Sequence, residues 1–297
     1  MALASPSRSV AGSATGDIAV GPLRLSFDLE ATLEPALAAL LSGYHARPDA
    51  LQAASAMHVN LRLEIGRMRG DEPRQPRLVA DEGGALSGAC EAWHARLEPS
   101  DTGLRATFRL RDPSTLPDGL LARWQPIVLA AGLASALRVT LAVAAPRAGG
   151  LLLHAAALVA PSGRAAIFTG PSGAGKTTMT RRLHPWRSLA DDAALVFPGT
   201  SGWQVSGTPL RGSEDLPRRA ESAPVTGVFH LRKDAGPELT RMGEAQAFAS
   251  LLSRVFWFSA PDARLADIAQ ALVAEVPSHT LASRLEDDVA GLLDGAA

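Results

Sequence analysis

Two short apolar runs, LLLHAAALVA at 151–160 and AAIFTG at 165–170, are separated only by Pro161, Ser162, Gly163 and Arg164. Parallel strands need a crossover of roughly a dozen residues or more, so a gap this short allows only an antiparallel hairpin. The second run leads straight into a glycine-rich stretch, and the strand entering that stretch therefore has an antiparallel neighbour. In the ordinary doubly wound nucleotide-binding fold the neighbouring strands are parallel and joined by helices. The hairpin thus predicts an α/β fold with a mixed sheet.

The glycine-rich stretch reads GPSGAGKTT at 170–178. A Gly-x4-Gly-Lys-Thr pattern between a strand and a helix is a phosphate loop. Its glycines let backbone N–H groups converge on phosphate oxygens, a Lys reaches the β and γ phosphates, and a Thr hydroxyl suits Mg²⁺. The expected nucleotide-binding residues are Gly170, Pro171, Ser172, Gly173, Ala174, Gly175, Lys176, Thr177 and Thr178, and the implied cofactors are ATP and Mg²⁺. Lys176 and Lys233 are the only lysines in a chain with 29 Lys plus Arg. In so Arg-rich a composition, a retained Lys points to a role that a planar guanidinium does not fill.

An acidic pair follows in LADDAALVF, at Asp191 and Asp192, fifteen residues after Lys176. Apolar residues on both sides place the pair in a strand pattern entering the core. Adjacent strand residues face opposite ways, so the two carboxylates divide the labour: one holds Mg²⁺ and the other takes the proton of an attacking hydroxyl. His154 interrupts the first apolar run, and the hairpin returns it beside the loop, towards the γ-phosphate end.

Elsewhere the chain carries less chemistry. Residues 1–16 read as a disordered leader, and 17–115 as a smaller α+β domain of half-buried antiparallel strands with one helix, LEPALAALLSG. Residues 119–297 read as the nucleotide-binding domain, opening with a long apolar helix and containing a further helix at EAQAFASLLSRVFWF. The segment 127–145 carries Arg138 within it, which favours a buried helix over a membrane span. A net charge of −1 with scattered Arg excludes a nucleic-acid stripe. The single Cys90 excludes an internal disulfide and suits a cytoplasmic protein. His58 and His94 sit in strand patterns and read as structural.

A strand bearing His, a hairpin, the loop, a short helix and an Asp-Asp pair in close succession resemble HPr kinase/phosphorylase and its relatives, which share the nucleotide core of phosphoenolpyruvate carboxykinases. LLLHAAALV, TGPSGAGKTT and LADDAALV are similar to HPr-kinase-related proteins of peptide-modification gene clusters, lasso-peptide precursor kinases among them. The resemblance implies a phosphoenolpyruvate-carboxykinase/HPr-kinase-like core, with Lys176 on the phosphates and Thr177 and Asp192 at Mg²⁺. It also implies Asp191 as general base, His154 near the γ-phosphate and Arg211 of TPLRG as a clamp on the transferred group. The implied acceptor is a Ser of a peptide or small protein, ribosomal peptide precursors included. Pro171 stands where HPr kinases carry Asp, and their later Arg-Gly-rich loop is reduced here to Arg211-Gly212. Both departures imply transfer without phosphate removal, and a substrate other than HPr. Relatives of that family are oligomers, so a homo-oligomer is an open expectation.

Other readings compete. An ABC ATPase carries Leu-Ser-Gly-Gly-Gln after its loop, whereas the similar ALSGAC lies before it. A signalling GTPase needs Asn-Lys-x-Asp, yet Asn60 is the sole Asn. A nucleotide-binding scaffold that holds a peptide without phosphotransfer, and a kinase acting on a small-molecule hydroxyl, stay open.

Overall fold

The computed structural model describes residues 13–46, 57–68, 71–115, 121–212, 218–234, 236–260, 262–284 and 287–294. The chain is α/β with two large mixed sheets. It divides into two units: Met1–Ser42, Pro48–Ala148 and Trp257–Pro261 in the first, and Gly43–Arg47, Gly149–Phe256 and Asp262–Ala297 in the second.

Strands β1 (Ser13–Val20) and β2 (Leu23–Glu30) open the first unit, and β3 (His45–Ala46) belongs to the second. The first unit continues with β4 (Met57–Gly66), β5 (Arg77–Ala80), β6 (Leu86–Cys90), β7 (Trp93–Ser100) and β8 (Gly103–Arg111). They form one sheet in the order β1-β2-β4-β8-β7-β6-β5. Thr15 and Gly16, in the stretch read as a leader, pair with Asp28 and Phe27; residues 1–12 lie outside the described residues. The alternating strands have the expected period of two, with Leu25, Phe27, Val59, Leu61, Leu63, Leu104, Ala106 and Phe108 on the buried face. Their pairing is not uniformly antiparallel: β4 runs parallel to both β2 and β8. A helix (Glu34–Leu41) lies between β2 and β4 in sequence, and the meander β5 to β7 lies between β4 and β8. Each of those connections is long enough to return the chain to its starting end.

The long helix, Leu121–Arg147, packs on β8, β4 and β7 within this unit. Its residues Leu133, Ala136, Leu137, Val139, Leu141 and Ala144 are buried. Among the described residues, only its part Pro126–Arg147 is long and apolar enough, by length and composition, to cross a membrane. Cys90 is a buried free thiol, and His94 meets Glu72 at 3.1 Å.

The second unit contains the hairpin. Strands β9 (Leu151–Val159) and β10 (Ala165–Thr169) pair antiparallel, from Ala165 against Val159 to Thr169 against Ala155. A helix (Lys176–Arg182) follows the glycine-rich loop and makes two turns before the chain reaches Pro185. Then come β11 (Arg187–Ala190), β12 (Ala193–Gly199), β13 (Gly202–Ser206), β14 (Arg219–Ala220), β15 (Ser222–Lys233), β16 (Glu238–Arg241) and β17 (Ser278–Ser283). β15 pairs with β13 along its first residues and parallel to β10 and β17 further on, which closes β10, β9, β12, β13 and β15 into a ring. β9 and β10 are buried on both faces, as strands covered from two sides must be. One face packs Leu153, Ala155 and Ile167 with Ala247, Leu251, Leu265 and Leu272 of two helices, Glu244–Leu252 and Ala263–Glu275. The other packs Ala156, Leu158 and Phe168 with Met179, Leu183 and Phe229. A last short helix, Ala290–Asp294, adds Leu293 to that second cluster.

The helix read at EAQAFASLLSRVFWF stops at Leu252. Leu153 instead bridges to Val255, and Phe256 N–H donates to Leu152 O at 2.9 Å. Ser253 caps the turn, and the β-branched and aromatic residues after it suit an extended chain.

β3 pairs parallel with β14, and the buried Tyr44 hydroxyl donates to Gly207 O at 3.1 Å. Burial pushes the Tyr44 phenol well up, so it stays a neutral donor. Gly207 sits where a Cβ would come within 2.2 Å of Arg219 O and 2.5 Å of Leu189 O. Gly207→Ala should therefore cost about 3 kcal/mol of stability, because only backbone stands in the way. A Cβ at Gly16 has nothing within 4 Å, and Gly16→Ala should stay within about 0.5 kcal/mol. Urea unfolding of the two variants checks the contrast.

Candidate functional site

The register of the second sheet lines up one row of residues. Ala193 of β12 faces His154 of β9, and the next pair along, Ala155 with Thr169, sets His154 level with the first loop residue, Gly170. On the far side Thr169 faces His230 of β15, which faces Thr280 of β17. The acid pair, the histidine and the loop thus meet because two antiparallel pairings share β9.

The loop leaves β10 at Gly170 and enters the helix at Lys176. Gly173 and Gly175 have φ of 75° and 108°, values that side chains disfavour. Pro171, Ser172 and Gly173 are exposed, while Ala174, Gly175, Thr177 and Thr178 are half-buried. Lys176 is buried and its Nζ donates to Gly170 O at 3.0 Å and to Pro171 O at 3.4 Å. The ammonium therefore lies over the mouth of its own loop. Burial pulls its pKa down, Asp192 opposes this and the Arg254 guanidinium adds to it.

Asp191 and Asp192 form the bend between β11 and β12, not the interior of one strand. β9 pairs with both flanking strands, and its Ala155 N–H donates to Asp192 O at 3.2 Å across the bend. A kink is the physical outcome, since two adjacent carboxylates inside a core strand would bury both charges unpaired. The two carboxylates have different partners. Asp192 Oδ1 lies 3.8 Å from His154 Nδ1, too long for a hydrogen bond but within reach of an ion pair when the ring is protonated. The His154 ring also lies against Phe256, with centroids 5.6 Å apart.

Asp191 is 5% exposed. Its Oδ2 accepts from Gly212 N–H at 3.2 Å, and its buried Oδ1 has no hydrogen-bond partner. Burial pushes this carboxyl up to about 6; Asp192 adds to the rise, and the Gly212 N–H and the Arg218 charge oppose it. Arg211 is half-buried and immediately precedes Gly212, so chain connectivity carries it to the acid pair.

Two residues that the sequence reading passed over join this row. Arg254 O accepts from His154 N–H at 2.7 Å. The Arg254 charge depresses the pKa of both Lys176 and His230, in each case after burial. His230 Nδ1 lies 2.9 Å from Thr169 Oγ1, its Nε2 is buried without a partner, and burial holds the ring down to about 4, so it is neutral at physiological pH. Neither residue had a local signal: Arg254 lay in an apparent helix, and His230 in an apolar strand that only the register brings beside the loop.

Among the described residues no group of three or more His, Cys, Asp or Glu forms a protein-only metal cage. Asp192, whose charge acts on Lys176, and the hydroxyl of Thr177 are oxygen donors of the kind that Mg²⁺ takes together with water and phosphate oxygens. Residues 128–282, just over half of the chain, match the family model described as SynChlorMet cassette protein ScmC. The match takes in the loop, the acid pair, His154, Arg211, His230 and Arg254. No curated protein matches the chain.

The burial of Asp191 has a consequence for stability. Its folded pKa lies above the ordinary 3.8, so the folded form binds the proton more tightly than the unfolded chain. The stability gained this way is complete below pH 3.8 and is lost as pH rises through about 6. A shift of this size corresponds to up to about 3 kcal/mol. Asp191→Asn, in EDTA-treated buffer, should flatten the stability profile between pH 4 and pH 7 and raise stability at pH 8, measured by urea unfolding.

Proposed function

We propose that this chain, which belongs to the family of the SynChlorMet cassette protein ScmC, is a Mg²⁺-dependent kinase with an HPr-kinase-like nucleotide core. It transfers the γ-phosphoryl group of ATP to the hydroxyl of a Ser in a peptide or small protein, in the cytoplasm. The observation that carries this reading is the convergence of Lys176, Asp192, His154 and Arg254 on one end of the loop, beside a second carboxylate that is buried. A cassette protein works among the products of neighbouring genes, which supports an acceptor made within the same cassette.

The residues divide the work as follows. Backbone N–H groups of 172–177 cradle the phosphates, and Lys176 leaves the loop carbonyls for the β and γ oxygens. Thr177 and Asp192 would hold a Mg²⁺ ion, which would supply neutralisation of the phosphate charge. Asp191 accepts the proton of the Ser hydroxyl as the new oxygen–phosphorus bond forms and the bond to ADP breaks. A carboxyl near 6 is well matched to that task at neutral pH, being ionised yet basic enough to take a proton. The Gly212 N–H holds one oxygen of Asp191, and the other is buried without a partner. Arg211 and Arg254 supply positive charge for the oxygens of the phosphoryl group in flight.

Incubation with ATP, Mg²⁺ and Ser-containing peptides should give a mass gain of one phosphate. Asp191→Asn should slow transfer by about 100- to 10,000-fold with nucleotide affinity nearly intact. Full activity in that variant would remove Asp191 from the role and pass it to Asp192. Lys176→Ala should weaken both nucleotide binding and turnover. Clear nucleotide binding with unchanged peptide masses would favour a scaffold instead.

A further inference from the structure

A groove of about 510 Å³ opens in the second unit, between the turn that joins β12 to β13 and the helix Ala263–Glu275. Pro198 and Trp203, a cross-strand pair, form one wall, and Asp267, Ile268, Ala271 and Glu275 of the helix form the other. Trp203 and Ile268 also belong to the apolar cluster beneath that helix. Trp203 is only 7% exposed. Its indole N–H has no hydrogen-bond partner among the described residues, yet the nitrogen is not sealed from the surface. The open side of the ring is the groove it lines, so the groove holds a donor that only an acceptor from outside can satisfy. Asp267 and Glu275 likewise have neither an ion pair nor a hydrogen bond among the described residues, and no described residue lining the groove is basic. Glu275 is the last residue of its helix, the end where the backbone carbonyls disfavour an anion and favour a cation. An acid there weakens the helix, and a cation bound beside it relieves both negative charges.

We infer that this groove holds a basic peptide segment in extended form, with Lys or Arg at two positions four residues apart. The spacing follows from the helix. Asp267 and Glu275 are eight residues apart in sequence, which is about 12 Å along a helix axis. In an extended chain, residues i and i+4 share one face and lie about 13 Å apart. Ala271 stands midway between the two acids, and its small side chain leaves room for an apolar residue at i+2, against Ile268 and Pro198. The Trp203 N–H donates to a backbone carbonyl of the same segment. A free polyamine supplies the cations but no carbonyl, so the indole selects peptide. Each ion pair at such exposed acids is weak, so binding requires both cations and the apolar contact together. The groove is remote from the phosphate loop: β12 runs from Ala193, next to the acid pair, to Gly199 at the groove, seven residues, or about 23 Å. The inference rests on the groove alone; under the kinase reading, an acceptor docked here carries its Ser at least that far from its basic pair.

Binding is measured by fluorescence anisotropy on full-length protein, without nucleotide or Mg²⁺. The labelled probes carry the core Lys-Ala-Val-Ala-Lys, the same core with both Lys replaced by Gln or by Glu, and Lys-Ala-Val-Lys-Ala, whose charges fall on opposite faces. The first should bind about tenfold more tightly than the Gln peptide and weaken as salt rises, and the shifted spacing should lose most of that advantage. The Asp267→Lys/Glu275→Lys double variant should invert the order and favour the Glu peptide, an inversion that a misfolded protein cannot produce. Spermidine should displace the first peptide only at much higher concentration than the unlabelled peptide does. Equal affinities for the Lys and Gln peptides, no dependence on spacing, no binding of any peptide, an unchanged order in the double variant, or spermidine competing as well as the peptide would each overturn the inference. The assay involves neither nucleotide nor turnover, so its failure leaves the kinase reading standing. An absence of phosphate transfer under ATP would sink the kinase and leave the groove's specificity intact.

Discussion

Everything at the site depends on the antiparallel pairing of β9 with β10. The turn at Pro161, Ser162 and Gly163 is too short to permit another arrangement, and the pairing of Ala155 with Thr169 puts His154 level with the start of the loop. The opposite edge of β9 then receives β11 and β12, so the bend between them, with its two carboxylates, is drawn to the same end. Small side chains make this possible. Ala155, Ala156 and Ala157 are wholly buried between the packed faces, where larger residues would push the covering helices away.

The energetics of the site run against stability. An aspartate held at 5% exposure with one oxygen unpartnered, and a lysine buried over its own loop, both cost free energy in the folded state. Proteins keep such groups where their chemistry is used, and the rest of the fold offsets them. Here the offset comes from two apolar clusters on either face of β9 and β10, which hold the row of polar groups at the sheet end without contributing to its chemistry.

Much of this arrangement was legible from local features. The hairpin, the loop and its short helix, and the half-buried strands follow from turn residues and periodicity, which are properties of neighbours in sequence. What escaped the reading is non-local. Periodicity shows that β2, β4 and β8 have one buried face but not that β4 lies parallel between the other two, because parallel order is set by connections and not by the strands. The stretch after Leu252 has an apolar spacing that suits a helix, and only its pairing with β9 shows it extended. Arg254 was hidden for that reason. His230 was hidden because a lone His in an apolar strand looks like core until the register of β15 against β10 is known. The bend at Asp191-Asp192 was read as a strand, since flanking apolar residues do not reveal where a strand must kink to spare two charges.

The segment of Tyr44 and β3 bears on how the molecule is made. Tyr44 finds its partner Gly207 at a separation of 163 residues, and β3 waits for Arg219 and Ala220. During synthesis this edge of the second unit stays open until most of the chain has emerged. Closing so long a loop is slow, because its entropy cost is met before its contacts form. The second unit is therefore discontinuous, and a fragment cut at Gly149 would take the Tyr44 donor from the Gly207 carbonyl and β3 from the edge of β14. Its folding, and with it the assembly of the loop and acid pair, is an act of the entire chain.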